Sequence, residues 1–502
     1  MAFPKKIWIV ESPVLANMLA LFAGSIFHLA LAPTNLWPLG LLSVFILLVI
    51  SNQAGAKQIA LRHYLFAIAM YGWGISWIYV SVHEYGEAIP ILAGGLVALL
   101  VGVLSLPMLL QGFLLHRFFR FHVLALSLGL VLLWVIREWI FTWFLTGFPW
   151  LLVGYGHLET PLGAFAPYVG VLGVGFLVLL SVALVHYFLS EMRLQYRVLA
   201  LIFLLLIWGA GFILPHYKLV QERGESISVS LVQGNIDQHQ KWRREMVRPI
   251  IQQYLDLTEP EWGRDLIVWP EAAITVFKES AQNLLSEIDD KGKAQKSALI
   301  LGIPDRDESG NVYNAAIALG QGEGSYFKRL LVPFGEYVPF ERQLRGLIKA
   351  FDLPMSRNQT GPAAQDLLRV GDVKVLMSIC YEIIYPNLIR SEETADLLIT
   401  ISDDTWFGES IGPLQHMQMA QMRALENGRY LLRGTNSGVS AIVNPKGQIQ
   451  AQFPQFQKGV LRGEVWAMEG TTPFNRFGHV PILSLIALLF LSLMVWRSRY
   501  TH

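Results

Sequence analysis

The amino-acid sequence predicts a multi-span α-helical membrane part, with eight transmembrane helices, joined to a water-facing α/β domain. Three observations predict it. The 502-residue chain is 53% hydrophobic with a mean hydropathy of +0.43, too apolar for an ordinary soluble protein. Charge is unevenly spread: of the 39 basic and 38 acidic residues, 15 fall in residues 1–214, 60 in 215–479 and two in 480–502. Between 225 and 470 the long apolar runs give way to short β-branched runs alternating with amphipathic polar stretches, the texture of an α/β fold. The expected organisation is a membrane domain with seven helices at 1–214, a water-facing domain at 215–478, and a last transmembrane helix with a short tail at 479–502.

A bilayer core takes roughly 20 apolar residues as a helix, because only a helix satisfies its own backbone polar groups where there is no water. Eight stretches approach that length, at 13–32, 37–52, 63–82, 89–115, 122–145, 162–189, 196–214 and 479–496. The short loops alternate in charge. Lys5 and Lys6, Lys57 and Arg62, Arg117 and Arg120, Arg193 and Arg197, and Arg497 and Arg499 fall on one side, whereas loops 33–36, 83–88 and 146–161 contain no Lys or Arg. Positive loops stay cytoplasmic, so both termini are expected there and residues 215–478 outside. Lys5 and Lys6 before a run ending Ala30-Leu31-Ala32 also fit a secretory signal, but the run is long and Pro33 makes a poor cleavage site. Arg137 and Glu138 interrupt an apolar run and are expected to form a structural ion pair near the outer interface. Thr146-Gly147-Phe148-Pro149-Trp150 reads as a turn at that interface. Gly170, Gly173 and Gly175 lie in an apolar helix with no following Lys-Ser/Thr, so close helix packing is expected rather than a nucleotide loop.

A net charge of +1 gives no basic stripe for a nucleic-acid partner. The chain has no HExxH motif, P-loop or internal repeat, and its 12 His residues show no metal-ligand spacing, so neither a metal nor a nucleotide cofactor is expected. The lone cysteine, Cys380, excludes an intramolecular disulfide.

In the water-facing domain, strands are predicted at Ile227 to Gln233, Leu266 to Trp269, Leu299 to Ile303, Ala315 to Ala318, Val373 to Ser378, Leu397 to Ser402 and Val439 to Val443. Helices are predicted at Arg243 to Leu257, Ser280 to Asp289 and Pro413 to Asn427, and the Pro-, Gly- and Phe-rich stretch from Pro333 to Gln365 as long loops over a site. Glu271 and Cys380 fall just past the ends of apolar strands, and Lys328 follows Ser325-Tyr326-Phe327. Singly, each has a bland reading: a helix cap, a core thiol, a solvated lysine. Together they supply a proton acceptor, a nucleophile and a cation for a developing oxyanion, the three groups that acyl transfer through a thiol requires. A nearby ammonium is expected to lower the thiol pKa from about 8.5.

Leu266-Ile267-Val268-Trp269-Pro270-Glu271, Lys328-Arg329-Leu330-Leu331-Val332-Pro333-Phe334-Gly335-Glu336-Tyr337 and Ser378-Ile379-Cys380-Tyr381-Glu382 together resemble the nitrilase superfamily. With Val232-Gln233-Gly234-Asn235, Trp242, Asp404-Thr405-Trp406-Phe407-Gly408 and Gln415-His416, the chain is similar over its whole length to the apolipoprotein N-acyltransferases of bacterial inner membranes. The resemblance implies an αββα sandwich facing the periplasm. It makes Glu271 the general base, Lys328 the oxyanion stabiliser and Cys380 the nucleophile, with Glu336 assisting. Trp242, Tyr381, Glu382 and Trp406 match positions of site architecture or loop gating. It implies a phospholipid donor, commonly phosphatidylethanolamine, a thioester on Cys380, and the α-amino group of a diacylglyceryl-cysteine apolipoprotein as acceptor. Two positions depart from the pattern, Asp403 where Asn is usual and Leu330 where His is frequent; both put local hydrogen bonding in doubt and leave the triad untouched. The alternatives are a membrane-tethered nitrilase-like amidase, which would not need eight spans, and a transporter with an outer binding domain, which would want paired charges across several helices.

Overall fold

A computed structural model describes residues 10, 12–52, 55–337, 358–390 and 394–501. Lys5, Lys6 and most of the stretch between Pro333 and Gln365 lie outside the described residues. The chain forms two compact units: residues 1–76, 91–218 and 476–502, and residues 77–90 with 219–475.

The first unit is helical. Apolar helices occupy Pro13–Phe27, Trp37–Ser51, Ala56–Gly74, Pro90–Phe119, Val123–Ile140, Ala166–Ser190, Leu194–Ile213 and Val480–Thr501. Six are long and apolar enough to cross a membrane, and a seventh is gained if Ala56–Gly74 and Trp77–Tyr85, bent by 54°, count as one span. Trp37–Ser51 has 15 residues, about 22 Å of helix at 1.5 Å per residue, short of a core of about 30 Å. Length and composition therefore support six or seven spans where eight were expected. The third segment starts at Ala56 rather than 63 and breaks after Gly74, where Gly72 and Gly74 weaken the helix. Ala166–Ser190 is likewise interrupted, with Gly170 at φ +67°.

Arg137 and Glu138 do not form the expected ion pair: among the described residues none joins them. Glu138 Oε1 instead accepts from Trp134 Nε1 and from the Val153 backbone N–H, both at 2.9 Å, and the Arg137 guanidinium lies 4.6 Å from the Trp134 ring centroid. On one helix, adjacent residues point about 100° apart, so the two side chains do not face each other and each turns instead to Trp134, one to its indole N–H and the other to its ring.

The second unit is built on two sheets. The first has six strands in the order β13-β1-β2-β3-β4-β6, from β1 (Val220–Gln233), β2 (Leu266–Val268), β3 (Ala298–Arg306), β4 (Val312–Gly320), β6 (Ser325–Phe327) and β13 (Gly459–Gly470). The second has seven in the order β12-β11-β10-β9-β8-β7-β5, from β5 (Gly322–Glu323), β7 (Leu368–Val370), β8 (Val373–Ile379), β9 (Leu397–Ser402), β10 (Leu431–Thr435), β11 (Ala441–Val443) and β12 (Ile449–Gln452). Each sheet has a parallel trio at its centre, β1-β2-β3 and β8-β9-β10, flanked by antiparallel strands. Alternate residues such as Leu266 and Val268 from one sheet and Val375, Met377 and Ile399 from the other form a buried core between them. The opposite face of the first sheet, with Ile267, Leu299 and Leu301, is covered by Ile250 and Tyr254 of helix Val247–Thr258 and Leu285 and Ile288 of helix Gln282–Gln295. Both faces of β2 are therefore buried, which is why its sequence is a continuous apolar run rather than an alternation. Helix Gly412–Asn427, buried along nearly its whole length, serves the second sheet. The result is the expected four-layer sandwich.

Residues 77–90 fold with this unit. Trp77 packs edge-on against Phe407 with ring centroids 4.7 Å apart, and Ser81 Oγ donates to the Trp406 carbonyl at 2.7 Å. Tyr85 stacks on His239 at 5.6 Å and meets Trp406 edge-on at 5.9 Å. Ser81–Tyr85 is a turn of π-helix, a form concentrated at functional sites.

Candidate active site

The carboxyl ends of the parallel strands carry the polar residues of the site. Asn235 and Glu271 lie shortly past β1 and β2, and Cys380, Asp403 and Asn436 directly follow β8, β9 and β10. Side chains there leave the apolar sandwich for a crevice that strand ends leave open. Glu271 is set by a tight approach of β3: a Cβ on Gly302 would lie 2.5 Å from Ala272 N and 2.7 Å from Glu271 Cα. Cys380 turns from β8 into a 3₁₀ turn, Cys380–Ile384, at φ +54°. A non-glycine residue held there costs about 1–3 kcal/mol and persists only where the surroundings impose it. Lys328 follows β6, where its N–H donates to the Asn314 carbonyl at 2.9 Å.

The three triad residues come together. Lys328, 1% exposed, places Nζ 3.3 Å from Glu271 Oε1 and 2.9 Å from Glu336 Oε1. The solvated-lysine reading therefore fails, and Glu336 joins the site. Asn314 Nδ2 donates to both carboxylates, at 2.7 Å to Glu271 Oε1 and 3.0 Å to Glu336 Oε1. The second oxygen of Glu336 accepts from Val332 N at 2.9 Å, and that of Glu271 from Asp403 N at 2.9 Å. Burial would lower the Lys328 pKa, but the charges of Glu271 and Glu336 outweigh it and hold the ammonium well above the usual lysine value. Cys380 differs from expectation. Burial, and then the Glu271 charge, push its thiol well above the usual range, and Lys328 offsets them only in part. A thiol so placed is protonated at rest, and attack through its sulfur would require a base to take the proton.

The supporting residues divide. Glu382 is buried and ties the lysine segment to the nucleophile turn. Its Oε1 accepts from Tyr326 Oη at 2.9 Å, Arg329 N at 2.6 Å and Leu330 N at 3.1 Å, and its Oε2 from Ile379 N at 2.8 Å. Leu330 thus takes part through its backbone. Tyr381 is buried edge-on against Tyr385 at 5.4 Å. Trp242 follows the short helix Gln238–Lys241 and is 38% exposed, and Trp406 meets Tyr85 as described; among the described residues no hydrogen bond or ring contact joins either to Glu271, Lys328 or Cys380. Asp403 has a cation partner: Lys241 Nζ lies 2.5 Å from its Oδ2 and donates to the Glu271 carbonyl at 3.0 Å.

Asn314, Lys241 and Arg433 escaped sequence reasoning. Arg433 carried a signal, a charge within Leu431-Leu432-Arg433-Gly434-Thr435, because a charge in an apolar strand must find a buried partner. It does: Arg433 Nη2 lies 2.6 Å from Asp404 Oδ2 and 3.0 Å from His416 Nδ1. Ser402 Oγ donates to Asp404 Oδ1 at 2.6 Å. Burial would raise the Asp404 carboxyl, but Arg433, His416 and Ser402 hold it well below the usual carboxylate range. Burial and the Arg433 charge lower the His416 pKa, against Asp404 and Cys380, which raise it. His416 Nε2 lies 3.1 Å from the Cys380 carbonyl oxygen.

Comparison with known proteins gives two family matches. Residues 228–471 match the carbon-nitrogen hydrolase family and residues 23–184 the apolipoprotein N-acyltransferase N-terminal domain. An apolipoprotein N-acyltransferase of Pseudomonas syringae pv. tomato is 43% identical over 492 residues, 96% of this chain and 97% of the relative. One of Azotobacter vinelandii is 42% identical, covering 96% and 95%, and one of Vibrio cholerae 38%, covering 98% and 99%.

Proposed function

Because the chain belongs to the apolipoprotein N-acyltransferase family and so acts as a multi-pass membrane enzyme of lipoprotein N-acylation, we propose that its chemistry runs through a thioester on Cys380. The observation that carries this reading is the convergence of Glu271 and Lys328 on a cysteine in a left-handed turn.

In the first half-reaction Glu271 takes the thiol proton as Sγ attacks the ester carbonyl of a phospholipid, phosphatidylethanolamine being the expected donor. The oxyanion is met by the Lys328 ammonium and the Tyr381 backbone N–H. Collapse expels the lysophospholipid alcohol, which takes its proton from Glu271, and leaves the acyl group on sulfur. In the second half-reaction the neutral α-amino group of a diacylglyceryl-cysteine attacks the thioester, Glu271 takes the proton that the amine sheds, and the sulfur leaves and is reprotonated. Glu336, which shares both Lys328 and Asn314 with Glu271, holds the ammonium in place. Glu382 fixes the nucleophile turn, and Trp242, Tyr381 and Trp406 shape the approaches. The setting is a bacterial inner membrane with both termini cytoplasmic and the sandwich in the periplasm, where lipid-anchored donor and acceptor arrive by lateral diffusion. A relationship that runs the length of the chain leaves no need for the amidase or transporter readings.

Intact mass spectrometry after incubation with phospholipid alone tests the proposal. The wild-type chain should gain one acyl mass, keep it until a diacylglyceryl-cysteine peptide with a free amino group is added, and ignore the same peptide acetylated on nitrogen. C380A should gain nothing. Substantial turnover by C380A, or release of free fatty acid without acceptor as fast as turnover with it, would overturn the thioester route.

A further inference from the structure

We infer that His416 is a positioning residue that aims the oxyanion donor, by holding the Cys380 carbonyl through its Nε2–H. The inference rests on the thioester reading and adds a residue to its machinery.

Two contacts place the ring's proton on Nε2. Arg433 Nη2 carries two N–H bonds, and two acceptors stand in reach, Asp404 Oδ2 at 2.6 Å and His416 Nδ1 at 3.0 Å. A guanidinium has no lone pair to offer, so the contact at Nδ1 requires Nδ1 to accept. In a neutral imidazole the other nitrogen then carries the hydrogen, and Nε2 faces the Cys380 oxygen at 3.1 Å, in range to donate. The opposite tautomer would let Nδ1–H donate to Asp404 Oδ1 at 3.2 Å, an oxygen that Ser402 Oγ already serves at 2.6 Å, but it would set an Nε2 lone pair against the Cys380 carbonyl oxygen and the Nδ1–H against the closer Arg433 N–H. Asp404, neutralised by Arg433 and bonded at Oδ1 by Ser402, keeps the guanidinium against Nδ1. The side chains of Ser402, Asp404, His416 and Arg433 are buried, so no water competes for the contact at Nδ1, and the Cys380 carbonyl contact is part-buried.

The Cys380 carbonyl and the Tyr381 N–H belong to one planar trans peptide unit and point in opposite directions. Fixing the carbonyl toward His416, behind the turn, therefore directs the N–H away from it, toward the side where an acyl oxyanion forms. The torsion that adjoins this plane is ψ of Cys380, so the same hydrogen bond restrains the residue that φ of +54° already holds in the left-handed region.

The test compares variants that separate hydrogen bonding from packing. H416F and H416L keep an apolar filling but have no donor; H416Q loses the ring but carries an amide N–H near the position of Nε2. A donor role predicts that F and L slow single-turnover thioester formation on Cys380 by about 10- to 100-fold, part of the 10²–10³ that a lost oxyanion donor costs, with phospholipid KM unchanged and with Q within about threefold of wild type. A packing role predicts the reverse ranking, and F or L acylating at the wild-type rate, or Q as slow as E271Q, overturns the inference. If both apolar variants misfold, the rate of folded H416Q decides on its own by the same thresholds. Wild-type protein that gains no acyl mass would instead sink the thioester reading beneath it, which the wild-type lane reports separately.

Discussion

At the scale of single residues, the site works by opposed charges at short range. Glu271 and Lys328 lie 3.3 Å apart and act on the Cys380 thiol with opposite sign: the carboxylate raises its pKa and the ammonium lowers it. Removing the carboxylate charge therefore lowers the thiol pKa and increases the thiolate fraction at a given pH, while removing the ammonium does the opposite. E271Q should accordingly react faster with iodoacetamide near pH 8 than wild type, by about tenfold per pKa unit, although it forms no thioester. K328A should react more slowly and also form none. The dissociation of alkylation from acyl transfer in E271Q identifies a base as the missing part rather than a nucleophile. Changes of the same sign in both variants would show that access, not charge, governs the thiol.

At the scale of elements, what matters is how closely strands can approach. β3 passes β2 near enough at Gly302 that an added methyl would meet the backbone on both sides of Glu271. G302A should displace the carboxylate by a fraction of an ångström to an ångström and cost about 10² in the rate of thioester formation, with phospholipid KM little changed, as single-turnover kinetics would read. The same scale explains what the sequence made legible. β2, β8 and β9 are apolar runs buried on both faces, so their ends, and with them Glu271 and Cys380, could be located from composition alone. β10 and β13 escaped because Arg433 interrupts one and Arg462, Glu464 and Glu469 alternate along the other. The spans were legible as apolar runs, but not the break after Gly74, which exchanges an apolar continuation for contacts with Trp406 and Phe407. Lys241 and Asn314 owe their place to residues 162 and 43 positions away, Asp403 and Glu271, and nothing local to either announces the pairing.

At the scale of the whole molecule, the alternating charged loops set the expected topology. Reporters fused after residues 57, 118 and 195 should read cytoplasm and one near 300 the outer side; a cytoplasmic signal at 300 would overturn the orientation and with it the periplasmic acceptor. Charge placement decides orientation because Lys and Arg resist translocation. The return of residues 77–90 to the sandwich has another consequence, for dissection of the gene. The catalytic unit is not one uninterrupted stretch of sequence but is assembled from two, with more than a hundred residues of membrane helices between them. A fragment spanning 219–475 should therefore emerge with the Phe407 face that Trp77 covers laid bare and the Trp406 carbonyl without Ser81, and should self-associate in size-exclusion chromatography. Co-expression with a 77–90 peptide should return it toward the monomer. Genes that exchange catalytic modules within this family would have to trade both pieces together, so the module boundary that matters for recombination is not the one that the hydropathy profile draws.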